Sequence, residues 1–366
     1  MAGLLFVQTA RASYHAVILA DVNTGRIIYS DRADDINYPA SLTKLMTLYL
    51  TFNALERGWL RLDQELIVSR EAAATNPVKL GLAAGSRITV ENAIKAVAVF
   101  SANDMAVVLS ENLIRGRERD FAAMMTEVAQ EIGLKNTNFA NTSGLPDADH
   151  VSSARDMALL AIALRRHYPQ YWHFFSIPYF SYNGRSFRNG NGLLGSYPGA
   201  DGMKTGFTRK SRYSLLSTAR RGDSHLVAVV LGAPSRAARE QVSKELFDYG
   251  FGRSAAFASR STRPTHHGEQ AGPQSAPMRT ASTNVTASSS GNRGGGTGRG
   301  GVQFGAFGTE RAAKNQQQRV RSALGIDTYL ERHNGLVRVR ANMSESEAQR
   351  VRGQCGARGV ECFVFR

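Results

Sequence analysis

Pro39-Ala40-Ser41-Leu42-Thr43-Lys44-Leu45-Met46-Thr47 is the stretch on which the fold is read. The pattern predicts a helix from Ser41 to about Arg57, with Leu42, Met46, Leu48, Leu50 and Phe52 as its apolar content and Gly58 as its stop. Residues three apart on a helix share a face, so the Ser41 hydroxyl and the Lys44 amine are neighbours and the amine can take the hydroxyl proton. Upstream, the apolar run from Tyr14 to Ser30 breaks at Asn23-Thr24-Gly25, a hairpin signal. Downstream, helices are expected at Val90 to Phe100, Asp104 to Ile114, Phe121 to Ile132 and Ser153 to Arg166, an all-helical middle. Strand signals return at Phe180 to Phe187, Gly202 to Phe207, Ser214 to Thr218 and Leu226 to Leu231, before a last helix from Arg236 to Tyr249. Strands, then helices, then strands describe an α+β unit, a sheet with a helical insertion.

After Phe251 the chain changes character. Ser, Thr, Gly, Ala and Pro dominate through Ser288-Ser289-Ser290-Gly291 and Gly294-Gly295-Gly296, which reads as a flexible linker over residues 253–300. Residues 301–366 then alternate as strand, helix, strand, strand, helix, strand, the order of a small ferredoxin-like split βαβ sandwich. A length of 366 residues suits two folded units, and a 42% hydrophobic content with 35 Gly and 10 Pro places most of the chain in the ordinary globular class. Ten of the net fifteen positive charges fall from Phe251 onward, and a basic tail of this kind suits nucleic acid, anionic lipid or an acidic wall polymer. Residues 1–12 form an apolar run ending in small residues at Ala10 and Ala12, read as the remnant of a secretory signal. Export removes nucleic acid from the expected partners. No apolar stretch reaches the roughly 20 residues that span a bilayer. The eight histidines form no ligand-spaced cluster, so neither metal nor cofactor is expected. The two cysteines, Cys355 and Cys362, either pair as a disulfide or remain two buried thiols.

Ser41-Leu42-Thr43-Lys44 is the single S-x-x-K in the chain, and Lys204-Thr205-Gly206 the single K-T-G, inside a predicted strand. There a cation, a hydroxyl and a bare backbone line one edge, where the glycine admits a substrate chain and the hydroxyl binds a carboxylate. S-x-N occurs at Ser101, Ser181, Ser282 and Ser290, but only Ser101-Ala102-Asn103 sits at a break between two helices and between the other two motifs.

The ordered set S-x-x-K, S-x-N, K-T-G is similar to the signature of penicillin-binding enzymes and serine β-lactamases. The flanks, among them Asn141-Thr142-Ser143-Gly144-Leu145, Ser153-Ala154-Arg155-Asp156 and Tyr197-Pro198-Gly199-Ala200-Asp201-Gly202-Met203, narrow the resemblance to the low-molecular-mass D-alanyl-D-alanine carboxypeptidases over about Tyr14 to Gly252. That resemblance implies an antiparallel sheet with a helical subdomain, as in β-lactamases and transpeptidases. It also implies removal of the terminal D-alanine of peptidoglycan stem peptides through an acyl-serine, with β-lactam antibiotics as inhibitors. By the same resemblance Ser41 is the nucleophile, Lys44 its base and Ser101 a proton relay toward the leaving amine. Asn103, Lys204, Thr205, Gly206, Phe207 and Arg239 then bind substrate: the N–H groups of Ser41 and Phe207 form the oxyanion hole, and Arg239, with Arg236 second, helps hold the carboxylate. No Glu-x-x-Leu-Asn tract lies between Asn103 and Lys204, so the deacylating carboxylate of class A β-lactamases has no counterpart. Alternative readings are a D,D-endopeptidase or an inert peptidoglycan-binding protein. Ser153 and Asp156 have capping-box spacing, and Asn141 to Asp156 is taken as scaffold.

Gly301-Val302-Gln303-Phe304-Gly305-Ala306-Phe307 and Leu336-Val337-Arg338-Val339-Arg340 resemble a SPOR domain, which implies binding to glycan strands at division sites. Strand alternation turns Val302 and Phe304 toward the helices and leaves Gln303, Gly305 and Phe307 on an open face, as it does Arg338 with Arg340 and Glu361 with Phe363 and Phe365. Gln303, Phe307, Arg338 and Arg340 are the expected glycan-binding residues.

Overall fold

The computed structural model describes residues 14–114, 117–252, 301–307, 310–333, 336–355, 358, 360 and 363–365. The chain divides into two compact units, residues 1–273 and 274–366. The expected signal remnant (1–12) and linker (253–300) lie outside the described residues.

In the first unit β1 (Ala16–Asp21) and β2 (Ile27–Asp31) form the expected hairpin, followed by a 3-10 turn (Ala40–Thr43) that runs straight into α1 (Lys44–Glu56). The helical part consists of α2 (Arg70–Ala74), α3 (Val90–Lys95) with a π turn at Ala96–Phe100, α4 (Asn103–Ile114), α5 (Glu118–Glu131) and α6 (Ala154–His167). It is not wholly helical. β3 (Glu65–Ile67) pairs with β4 (Arg87–Thr89), and the strand signal over Phe180 to Phe187 resolves into β5 (Tyr179–Tyr182) and β6 (Arg185–Arg188). Three-residue strands with one buried side chain each, Leu66 and Ile88, are too short to show alternation in sequence. The β5-β6 turn is Asn183-Gly184 with both φ angles positive, the pairing a tight hairpin demands.

The chain closes the sheet with β7 (Ala200–Thr208), β8 (Arg212–Arg221) and β9 (Ser224–Ala233), and ends the unit with α7 (Arg236–Gly250). The order is β2-β1-β9-β8-β7, every neighbouring pair antiparallel, which leaves β7 at an edge. β1 and β9 read as near-continuous apolar runs because both faces of the sheet are covered. Ile18, Ala20, Val227, Val229 and Leu231 pack into the core shared with α1, α4 and α6, while Val17, Leu19, Ala228 and Val230 pack with Val242, Leu246 and Phe247 of α7. α1 is buried almost all round, from Leu45 through Phe52, which makes it the axis of the helical side and explains its lack of a polar face. At the start of α6 the Ser153 hydroxyl accepts from Asp156 N–H at 3.1 Å, but the Asp156 carboxylate turns instead to Asn136 N–H and the Thr137 hydroxyl, both at 2.7 Å. Half of the capping box forms; the other half ties α6 to the preceding loop.

The second unit holds β10 (Gly301–Phe307), α8 (Glu310–Leu324), β11 (Tyr329–His333), β12 (Leu336–Asn342), α9 (Glu345–Cys355) and β13 (Phe363–Phe365), with sheet order β11-β12-β10-β13. Val302, Phe304, Val337 and Val339 meet Ala313, Val320 and Ala348 in one core. Cys355 is disulfide-bonded, so the alternative of two buried thiols falls away; Cys362 lies outside the described residues. No helix among the described residues is long and apolar enough to cross a membrane.

Candidate active site

Ser41 lies in the 3-10 turn and Lys44 is the first residue of α1, so the change from one helix type to the other happens between them. Lys44 is fully buried, and its Nζ has three partners: Ser41 Oγ at 3.0 Å, Asn103 Oδ1 at 2.7 Å and the Ser143 carbonyl at 2.6 Å. Two of these can only accept. A neutral amine donates its two N–H groups to them and keeps its lone pair for the Ser41 hydroxyl. Burial, and next the positive charge of Lys204, holds the Lys44 ammonium well below the usual lysine range. Burial thus biases Lys44 toward the uncharged amine, the state in which its lone pair can face the Ser41 hydroxyl.

The other two partners are placed by separate devices. Ser101 sits in the left-handed region at φ 67° where the π turn ends, and this kink starts α4 at Asn103. Asn103 is held at both ends of its side chain, since its Nδ2 also donates to the Asn76 carbonyl at 3.2 Å. Next to it the buried Asp104 carboxylate accepts from Leu80 and Gly81 N–H at 3.0 and 2.9 Å, tying the preceding loop over the kink. The Ser101 hydroxyl is half-buried and makes no hydrogen bond among the described residues. Ser143 belongs to the Asn141-Leu145 loop, which wraps its backbone N–H groups around Asn141 Oδ1 and anchors Thr142 on Glu118. Buried His150 accepts from Ala140 N–H at Nδ1 and so presents Nε2–H to Thr43 Oγ1 at 2.7 Å, a neutral tautomer in keeping with a pKa pushed down by burial to about 4. That bond fastens the same loop to the end of the 3-10 turn that carries Ser41.

β7 supplies the opposite wall. Lys204, Thr205 and Gly206 are consecutive on this edge strand. A Cβ at Gly206 would lie 3.0 Å from the Pro39 carbonyl and 3.3 Å from Ser41 N, so a bare backbone is what lets the strand edge close on the nucleophile's turn. Lys204 is buried, and desolvation with the neighbouring Arg239 pushes its pKa down to about 7. Arg239 projects from α7 under the sheet and donates to the Ser214 and Gly190 carbonyls, each at 3.2 Å, while its Nε is buried with no hydrogen-bond partner. Thr205 Oγ1 would be 2.7 Å from a Cβ on Gly190, so hydroxyl and guanidinium flank one glycine. Phe207 is 52% exposed and packs tilted against Tyr213, with ring centroids 4.4 Å apart.

In the second unit Val302 and Phe304 face the core, but Gln303, expected open, is only 5% exposed. The reason is a lid of its own neighbours: Arg340 Nε donates to Gln303 Oε1 at 3.1 Å, and Glu331 bridges Arg340 at 2.7 Å and Arg338 at 3.4 Å. The side chains of Phe307, Phe363 and Phe365, and Glu361 altogether, lie outside the described residues.

Sequence reasoning passed over Ser143, His150 and Gly190. The first was visible as a quoted motif but assigned to scaffold, because a backbone carbonyl has no side-chain signature. Residues 6–235 match the D-alanyl-D-alanine carboxypeptidase family, and residues 296–366 match the SPOR domain. The chain is 34% identical over 252 residues to the D-alanyl-D-alanine carboxypeptidase DacF of Bacillus subtilis, covering 67% of this chain and 64% of that protein. The chain thus spans just under two thirds of the length of this curated relative. Penicillin binding protein 5 from Haemophilus influenzae superposes with a TM-score of 0.64 at 34% identity, over 66% of this chain and 72% of that one. Penicillin-Binding Protein D2 from Listeria monocytogenes, in its ampicillin-bound form, superposes with a TM-score of 0.60 at 31% identity, over 66% of this chain and 98% of that one.

Gly144 has φ +81°, and a Cβ there would fall 1.8 Å from the Ala40 carbonyl. Gly144→Ala is therefore expected to push the Ser143 carbonyl off Lys44 and slow acylation by penicillin about a hundredfold, with unchanged far-ultraviolet dichroism. Stopped-flow acylation rates check this.

Proposed function

Because the chain belongs to the D-alanyl-D-alanine carboxypeptidase family, we propose that it removes the terminal D-alanine from peptidoglycan stem peptides through an acyl-serine, held on wall glycan by its SPOR domain. The observation that carries the reading is the buried Lys44 amine 3.0 Å from Ser41 Oγ, its charged form disfavoured by burial. Ser41 attacks the carbonyl of the penultimate D-alanine as Lys44 takes its proton. The N–H groups of Ser41 and Phe207 receive the developing oxyanion, a contribution worth about 3 to 4 kcal/mol per donor. Asn103 binds the substrate amide, and the terminal carboxylate lies against Thr205 and Lys204, with Arg239 behind. Ser101, uncommitted at the kink, passes a proton to the leaving D-alanine amine. Water then releases the shortened peptide.

A substrate anion suits this pocket for an electrostatic reason. Lys204 and Arg239 are like charges in a desolvated site, and a carboxylate between them favours the protonated state of Lys204 that burial alone opposes. β-Lactams, whose carboxylate and acyl group mimic the same end, are the expected inhibitors. The basic C-terminal unit suits an acidic wall polymer, with Phe307, Arg338 and Arg340 as its glycan contacts and Gln303 held beneath Arg340 rather than open to the ligand; the location is exported and wall-associated, at septal glycan.

Two outcomes are expected. Fluorescent penicillin labels the native protein and fails to label Ser41→Ala, and mass analysis of digested muropeptides shows loss of one D-alanine; label on the variant rejects the nucleophile, and cross-link cleavage instead makes the enzyme an endopeptidase. The full chain sediments with amidase-stripped peptidoglycan, and Arg338→Ala with Arg340→Ala weakens this; a native chain that stays in the supernatant rejects the tether.

A further inference from the structure

A cavity of about 130 Å³ opens where β7 ends, lined among others by Tyr38, Ala40, Gly144, Asp147, Thr208 and Lys210. It shares Ala40 with the nucleophile's turn and Gly144 with the loop that holds Lys44, yet none of the groups assigned above to the reaction fills it. Its position follows from the direction a substrate must run. The terminal carboxylate lies at Thr205 and the acyl carbon between Gly206 and Ser41, so the part of the peptide before the scissile bond extends away from Arg239 along the strand edge. At about 3.3 Å per residue, Thr208 is roughly 10 Å beyond Thr205, about one further substrate residue past the acyl carbon. A peptide lying antiparallel to β7 therefore delivers the side chain of the residue before the D-alanine pair to this cavity.

The cavity carries two opposite charges. Lys210 is exposed and its ammonium lies over the Tyr38 ring, 5.5 Å from the centroid, which keeps it on the cavity wall. Asp147 is exposed on the facing loop, and its Oδ1 accepts from Asp149 N–H at 2.9 Å. Neither has an ion-pair partner among the described residues. His150, which also lines the space, has both ring nitrogens committed and adds no charge.

We propose that this cavity is a specificity subsite for the residue preceding the D-alanine pair, selecting a diamino acid whose side chain ends in an ammonium and a carboxylate, with Asp147 pairing with the first and Lys210 with the second. The proposal rests on the carboxypeptidase reading of the site. It makes the enzyme sensitive to a group well removed from the bond it cuts, through rim contacts whose individual effect is modest.

The test uses the full chain and three N-acetylated tripeptides, Xaa-D-Ala-D-Ala, in which Xaa is diaminopimelate, lysine or Nε-acetyllysine. Native kcat/KM is expected to fall about threefold at each step in that order. Asp147→Asn brings the lysine to acetyllysine ratio to unity, and Lys210→Met does the same for the diaminopimelate to lysine ratio. Ratios between substrates are the readout, because a general loss of activity does not move them. Flat native ratios, or ratios that survive both substitutions, overturn the subsite while penicillin labelling of the native protein still upholds the carboxypeptidase reading. Absence of that labelling overturns the reading itself, and the subsite with it.

Discussion

A lysine amine enclosed by protein is the constraint around which the catalytic unit is arranged. Left charged and alone, such a group is prohibitively costly to bury; left neutral and unpaired, it still forfeits hydrogen bonds to water. The fold resolves this with two acceptors from distant segments, Asn103 Oδ1 and the Ser143 carbonyl, and with the Ser41 hydroxyl on the same helical face. Each partner needs its own support. The kink at Ser101, the loop tied by Asp104 and the Asn141 nest anchored by Glu118 and His150 all serve to hold an oxygen atom near one nitrogen. The same three bonds that make burial tolerable make the amine a base.

The second wall obeys a complementary rule. β7 is an edge strand, and an uncovered edge ordinarily invites pairing with another chain. Here the edge is closed on one side by the Ser41 turn, an approach that the bare backbone of Gly206 permits, and the remaining open stretch is where the proposed substrate peptide would pair. Burial, and next the charge of Arg239, pushes the Lys204 pKa down to about 7, and Arg239 keeps a buried Nε without a hydrogen-bond partner. Such a site is pre-set for an anion, since the ligand supplies what the protein withholds.

Much of this was legible in the amino-acid order. The Ser41 and Lys44 spacing, the single K-T-G and the strand-helix-strand succession led to the α+β class, because each is a local pattern with a period of its own. Ser101 required position as well as pattern, as three other S-x-N occurrences matched equally well. What stayed hidden was of another kind. Ser143 and Gly190 act through carbonyls, which every residue has; His150 acts through a tautomer set by a bond to Ala140; and Gln303 is covered by its cross-strand partner Arg340, held there by Glu331, which the alternation of a single strand does not foresee. The β3-β4 pair escaped because strands of three residues carry too few side chains to declare a period, whereas the β5-β6 pair showed as the strand signal over Phe180 to Phe187.

The claim most exposed to experiment is that Lys44 is neutral in the folded protein. With eight lysines in the chain, a carbon-13 lysine label gives a spectrum in which Lys44 Cε is identified by its loss in Lys44→Arg, and the resonance is then followed against pH. The account predicts that it titrates well below 10.5, apart from the surface lysines. A midpoint at 10.5 among the others contradicts it, for Lys44 is then an ammonium at neutral pH and has no lone pair to offer Ser41.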